Sequence, residues 1–284
     1  MITLLTMAQG NPIALQRTLE SFKGICNEVI FGDLCVFEDD SNKIYDIFYD
    51  SRFGGGMYEH DSFRIIKFPF NYIFKNGFSS ILNFLAANAT NDIVIYMNVG
   101  ETIATAITPN ATLWTDENGQ YYDTYFFNHP TDPHHWFRMY NRRKYKWDGL
   151  IHEELVEIGT GARRYEKQPI FTMVDTEKDM YDPFKAKVYN DIKELVYFNQ
   201  YQRLIDEPLA RGITNDYWLR EAQQADPPMI ARLLKKGKRF EAFKNGDLQL
   251  YLDTVGADPS FGSIPDASDV LVNVQGNRRD NLGD

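Results

Sequence analysis

"NGFSSILNFLAANATNDIVIYMNVGE", residues 76–101, holds two hydrophobic periods in one run. Phe78, Leu82, Leu85 and Ala89 recur at helical spacing. Residues 77–89 therefore read as a helix with one apolar face. After Asp92 the pattern becomes an unbroken apolar run, "IVIYM" at 93–97. So short a run reads as a strand buried on both faces. A helix that feeds such a strand belongs to a βαβ unit, so the stretch predicts an α/β protein with parallel strands.

The same alternation runs upstream. "ITLLTM" (2–7), "EVIFGD" (28–33) and "FRIIKF" (63–68) are short apolar runs and read as three further strands. Asn11 can cap a helix with Pro12 at its first position, and Leu15, Leu19 and Phe22 carry its apolar face on to Lys23. A more polar helix is predicted over about 41–49, and "FGGG" (53–56) reads as a loop. In open parallel sheets, ligands sit outside the carboxyl ends of the strands. The polar residues expected there are Gln9, Asp33, Asn98 and Glu101.

Downstream the pattern changes. "ENGQYYDTYFFNH" (117–129) carries an Asn-Gly turn signal and then an aromatic strand. "HHWFRMYNRRKYKW" (134–147) reads as two short strands around a basic turn, and "QPIFTMV" (168–174) as another strand. From Pro183 the spacing is helical, with a boundary at Asp226-Pro227-Pro228. The end is rich in Gly, Asp, Asn, Pro and Ser. The chain thus divides into an α/β part (1–180), a helical extension (181–255) and an irregular tail (256–284).

Composition narrows the function classes. An apolar content of 43% supports a core, and a net charge of −10 disfavours a surface built to grip phosphate backbones. No apolar run is long enough to span a membrane, and the first residues lack the pattern of a secretory leader, so a cytoplasmic protein is expected. Cys26 and Cys35 are expected as reduced core residues. There is no H-E-x-x-H, since position 156 is Val, and no G-x-S-x-G, Walker A or G-x-G-x-x-G.

Four constellations remain, each with a plain alternative. "MNVGE" ends a strand in oxygen-bearing side chains, Asn98 and Glu101, which suit a hard cation and a diphosphate; the alternative is a Gly turn. Asp33 can accept hydrogen bonds from a ribose or base, or cap a turn. Arg138, Arg142, Arg143, Lys144 and Lys146 lie among aromatics and can neutralise a diphosphate or contact an anionic acceptor, or form a solvated basic hairpin. In "YKWDGLIHEEL" (145–155), Glu153 can act as a base and His152 can bind a metal or phosphate; the alternative is an acidic helix start.

Together these blocks resemble family 2 glycosyltransferases. "LQRTLESFKGICNEVIFGD" is similar to their "R-x-x-L-x-S" ahead of "E-I/V-I-V-x-D". "NGFSSILNFLAANATNDIVIYMNVGE" resembles "G-F-x-x-x-R-N-x-A-L-x-x-A-x-x-D-W-I-L-x-L-D-A-D-E". "HHWFRMYNRRKYKWDGLIHEEL" resembles the "W-x-G-x-I-H-E" block of the branch with lipopolysaccharide-core and peptide glucosyltransferases. The resemblance covers about 1–160 and implies a GT-A fold, a Rossmann-like half with a mostly parallel mixed sheet. It implies inverting transfer of a hexosyl or pentosyl group from a nucleotide sugar, a UDP-sugar first among them, with Mn²⁺ or Mg²⁺.

By position, Asp33 then contacts the nucleoside, Asn98 and Glu101 hold metal and diphosphate together with His152, and Glu153 is the base. Arg142, Arg143 and Trp147 complete the expected donor pocket. The sequence departs from the pattern where D-A-D-E is N-V-G-E and where Leu82 replaces an Arg. Divalent-ion dependence is therefore open, with Arg142 and Arg143 as alternative carriers of the leaving-group charge. Two other readings stay beside the transferase: a non-catalytic nucleotide-sugar-binding protein of this fold, and a phage-type DNA-base glycosyltransferase. The acceptor class spans glycan, peptide and DNA base, and the apolar helices after 185 offer a surface for an oligomer.

Overall fold

The four apolar runs pair side by side. The computed structural model describes residues 1–49, 62–106, 115–128, 137–149, 154–165, 171–175, 183–206 and 237–258. In it the runs are β1 (Ile2–Ala8), β2 (Glu28–Asp33), β3 (Ser62–Lys67) and β4 (Ile93–Asn98). β1 lies between β2 and β4, β3 flanks β2, and all four are parallel.

The helices between them are α1 (Pro12–Ser21), α2 (Glu38–Tyr49) and α3 (Tyr72–Ala87). α1 starts as predicted: the Asn11 side chain accepts from the Ala14 N–H at 3.1 Å, with Pro12 next. α2 starts earlier than expected because Glu38, Asp39 and Asp40 fill its first turn, where the helix dipole favours acids. α3 also starts earlier; a short helical stretch precedes a break at Gly77 (φ 74°, ψ 169°), and the predicted helix follows it.

The middle of the chain extends the sheet. β8 (Met139–Asn141) runs antiparallel to β4, β6 (Thr124–Tyr125) antiparallel to β8, and β11 (Arg164–Tyr165) parallel to β6. The seven-stranded order is β11-β6-β8-β4-β1-β2-β3. A smaller sheet combines β5 (Glu101–Ala106), β12 (Phe171–Asp175) and β7 (Phe127–Asn128) in the order β5-β12-β7. β9 (Tyr145–Asp148) pairs antiparallel with β10 (Glu154–Glu157). The two strands expected around the basic turn are therefore β8 and β9, but each takes other partners. The helix start weighed at the Glu154 end of "HEE" is a strand instead.

Alternate strand residues face opposite layers, as the pleat requires. Leu5, Ile30, Val94 and Tyr96 pack toward α3 through Ile81, Leu82 and Leu85. Leu4, Phe31, Ile95 and Met97 pack toward Leu15 and Leu19 of α1 and Ile44 and Phe48 of α2. The α/β class with a mostly parallel mixed sheet is thus as expected.

The C-terminal helices are α4 (Pro183–Asp206), α5 (Gly237–Asn245) and α6 (Leu248–Gly256). Val188, Leu195, Phe243 and Leu252 join the same core as α3. The helical patterns at 207–236 and the tail from 259 fall outside the described residues. Cys26 and Cys35 are buried and are not joined in a disulfide. Among the described residues no helix is long and apolar enough to cross a membrane.

Candidate functional site

Strand order locates the site. β2 and β3 lie on one side of β1 and β4 on the other, so the order reverses at β1. The crevice outside the carboxyl ends of β1 and β4 is the topological switch point, the place where open α/β sheets bind ligands. Register brings the expected residues to it: Met7 pairs with Asn98, Ala8 with Asp33, and Asp33 with Lys67.

The corner at the tip of β4 is a connected polar chain. Asn98 is exposed there. Its Oδ1 accepts from the Tyr96 hydroxyl and its Nδ2 donates to Glu101 Oε1 at 2.9 Å. The Asn98 backbone N–H donates to Glu101 Oε2 at 2.8 Å, and Arg138 Nη1 donates to that same oxygen. Glu101 (5% exposed) and Arg138 (1%) are both buried, and the guanidinium lies over the Tyr96 ring, 5.6 Å from its centroid. Gly100 turns the chain from β4 into β5 at φ 96°, a conformation that L side chains rarely adopt. Its N–H donates to Thr18 Oγ1 of α1 at 2.9 Å. The position where the related motif carries a second acid is thus a turn that needs glycine.

The corner at the tip of β2 is built the same way. Asp33 is fully buried. Its Oδ1 accepts from the Cys35 N–H at 2.8 Å, and its Oδ2 accepts from the Tyr45 hydroxyl at 2.8 Å and pairs with Lys67 Nζ at 2.9 Å. Lys67 Nζ also donates to Cys35 O (2.9 Å) and Ser41 Oγ (2.7 Å). Burial and the nearby Asp33 charge hold the pKa of the Cys35 thiol well above its ordinary value. Asp39 and Asp40, the other acids after β2, face the C-terminal helix. Lys185 Nζ donates to both, and the Tyr189 hydroxyl donates to Asp40 Oδ2 at 2.9 Å.

Other predicted residues go elsewhere. Arg142 and Arg143 sit at the amino end of β4, opposite the switch point. Arg143 Nε donates to Asp92 Oδ1 at 2.6 Å, and Arg142 Nε to Asn91 O at 2.9 Å. The reason is register: Asn141 pairs with Ile93 in an antiparallel ladder, so residues beyond it leave past the start of β4. Trp147 lies in the hydrophobic core with Tyr140 and Tyr145. It is 5% exposed, because β9 alternates buried Tyr145 and Trp147 with exposed Lys146 and Asp148. Its indole N–H donates to the Tyr140 hydroxyl at 2.9 Å, and its ring meets Tyr96 edge-on at 5.6 Å. His152 and Glu153 lie outside the described residues.

Trp147 and Gly149 are held by α3. Asn83 of α3 donates to Trp147 O (2.7 Å) and accepts from Trp147 N–H (2.9 Å), and Ser79 Oγ donates to Gly149 O at 2.7 Å. The second and third sequence blocks are therefore docked on each other, and Tyr96 links Trp147 to Asn98. Tyr96, Ser79, Asn83 and Lys67 carry no local signal for these roles. Arg138 stood out only as one of several basic residues.

Of the three expected metal ligands, Asn98 and Glu101 are among the described residues and His152 is not. The Glu101 oxygens face Arg138 and Asn98, and among the described residues no group of three or more His, Cys, Asp and Glu side chains is arranged to hold an ion.

No protein-family model matches the sequence, and no curated protein matches it. Among solved structures, the chain is similar to crystal structures of S. aureus TarS 1-349. One of them is 12% identical, with a TM-score of 0.40 and 92% of each chain covered. The complex with UDP is 11% identical, with a TM-score of 0.42, covering 93% of this chain and 94% of that one. The complex with UDP-GlcNAc is 11% identical, also with a TM-score of 0.42, and 92% of each chain is covered. A likeness this distant bears on neither site nor substrate.

Proposed function

We propose that this chain is a glycosyltransferase of the GT-A type that moves a sugar from a nucleotide sugar to an acceptor hydroxyl with inversion. The observation that carries the reading is that two sequence blocks end strands at the switch point and the third packs on the second. "MNVGE" ends β4 there, α3 from the same block holds the "KWDG" strand, and Asp33 ends β2 two strands away. Each block resembles the family's pattern independently, and the fold brings them together.

In this reading the nucleoside end of a UDP-sugar lies over the Asp33–Lys67 corner, with its diphosphate at Asn98. Glu153 takes the proton of the acceptor hydroxyl. The acceptor oxygen forms a bond to the anomeric carbon, the bond from that carbon to the phosphate oxygen breaks, and UDP leaves with the electron pair. The internal pairing of Asp33 and Glu101 favours one second reading, a nucleotide-sugar-binding protein of this fold without transfer.

A panel of nucleotide sugars, followed by thermal unfolding and by sugar release or transfer, separates the two readings. The enzyme shows a rise in apparent stability and turnover; the binder shows the rise alone. Glu153→Gln is expected to abolish turnover and leave donor binding intact. Wild-type turnover in that variant removes Glu153 from the reaction.

A further inference from the structure

We propose that the corner at the carboxyl end of β4 carries its own cation, Arg138, and takes no divalent metal. The proposal rests on reading this corner as the donor site. A carboxylate offers about four lone-pair sites. On Glu101, Oε2 receives the Asn98 N–H and the Arg138 guanidinium, and Oε1 receives the Asn98 side-chain amide. A divalent ion on the same carboxylate would share it with a guanidinium in a buried, low-dielectric setting, where two cations repel strongly.

Arg138 has no way to yield. Its side chain is 2% exposed and covered by Tyr96. Its own backbone carbonyl accepts from the Tyr96 N–H at 2.9 Å, which fixes it on the neighbouring strand. The two neighbouring positions add no replacement ligand. Gly100 has no side chain, and Asn98 is a neutral amide already engaged with Tyr96 and Glu101. The corner is therefore an electrically balanced pair that ends in one exposed amide. A phosphate-bearing ligand meets N–H groups there instead of a metal.

The test is a Mn²⁺ titration of the full chain, with free ion followed by electron paramagnetic resonance. Wild type is expected to take up no saturable Mn²⁺, and uptake that is unchanged in Asn98→Ala fits equally, because it lies at another site. Arg138→Gln is expected to gain a saturable Mn²⁺ site by leaving Glu101 uncompensated. Saturable uptake by wild type that is weakened or lost in Asn98→Ala overturns the proposal whether or not the Arg138 variant folds. Calorimetry with UDP in chelator keeps the donor reading separate. UDP binding with the same Kd in chelator and in Mn²⁺ supports the proposal. UDP binding that needs both Mn²⁺ and Asn98 overturns it. No UDP binding under either condition counts against the donor-site reading, and the titration alone then decides the corner.

Discussion

Asp33 and Glu101 both stand at the carboxyl edge of the parallel strands, and each has a cation from its own chain, Lys67 for one and Arg138 for the other. The pairs differ in access. The Lys67 side chain is 24% exposed on a flexible stem, whereas that of Arg138 is 2% exposed. Lys67 Nζ, held by Asp33, Cys35 O and Ser41 Oγ, ends a flexible stem that is partly open to solvent. A planar guanidinium clamped between a carboxylate and an aromatic ring cannot move without opening the core. One corner is adjustable and the other is part of the frame, although the residue types are nearly the same.

The strongest way to break this comparison is Arg138→Met. It leaves Glu101 buried without its cation and should cost about 3–5 kcal/mol. The loss reads as a lower urea midpoint at constant slope, and Arg138→Met combined with Glu101→Leu should recover most of it. A loss as small as that of a surface pair, about 0–1 kcal/mol, would make the two corners alike.

Lys67→Met should cost less, about 1.5–3 kcal/mol, since Asp33 keeps the Cys35 N–H and the Tyr45 hydroxyl. It should also weaken UDP binding. Unchanged affinity would take Lys67 out of the adjustable corner.

The Lys67 corner is tied to the C-terminal helix through the first turn of α2, where Ser41 meets Lys67 and Asp39 and Asp40 meet Lys185. Lys185→Ala should cost about 1–2 kcal/mol. Burial alone would lower the Lys185 pKa, but hydrogen bonds from Lys185 to Asp39 and Asp40 outweigh it and raise the value. Burial alone would raise Asp39, but Lys185 and Lys43 outweigh it and lower the value. The lysine's contribution is complete below its ordinary 10.5 and is lost as pH rises through the raised value. The aspartate's is complete above its ordinary 3.8 and is lost as pH falls through the lowered value. The difference in urea midpoint between wild type and Lys185→Ala should be flat through neutral pH and shrink at both extremes; a step near neutrality would contradict the pairing.

The smallest effect belongs to Arg143→Ala. Its pair with Asp92 is exposed and lies at the far end of β4, so stability should change by no more than about 0.5 kcal/mol. UDP affinity should be unchanged; a clear loss would return the basic turn to the donor site.

The parallel half was legible because strands buried on both faces must be continuous apolar runs, and because Asn11-Pro12 is a local helix-start signal. The added strands were harder. β6, β7 and β11 have two residues each and β8 has three, too few for a period to show. Partner choice was hidden as well. "RMYNRRKYKW" reads as one hairpin, yet its strands join different sheets, and this sends Arg138 to the site and Arg142 and Arg143 away from it. Glu101 was marked by type as a ligand. Its ion pair with Arg138 spans 37 positions, and no local pattern carries a contact of that range.

The shared core also sets an order of events on the ribosome. Phe37 meets Phe184 and Tyr189, Asp40 meets Lys185, and Phe70 meets Phe243 and Tyr251. At about 5–20 residues per second, roughly 10–40 s pass between synthesis of residue 40 and of residue 255. From the synthesis of α3 until that of the C-terminal helices, the apolar layer over α3 waits for the cover that Val188, Leu195 and Phe243 later provide. The nascent chain carries a sticky face in that interval. A nonsense codon near 180 would release it in that condition, a client for chaperones and a seed for aggregation.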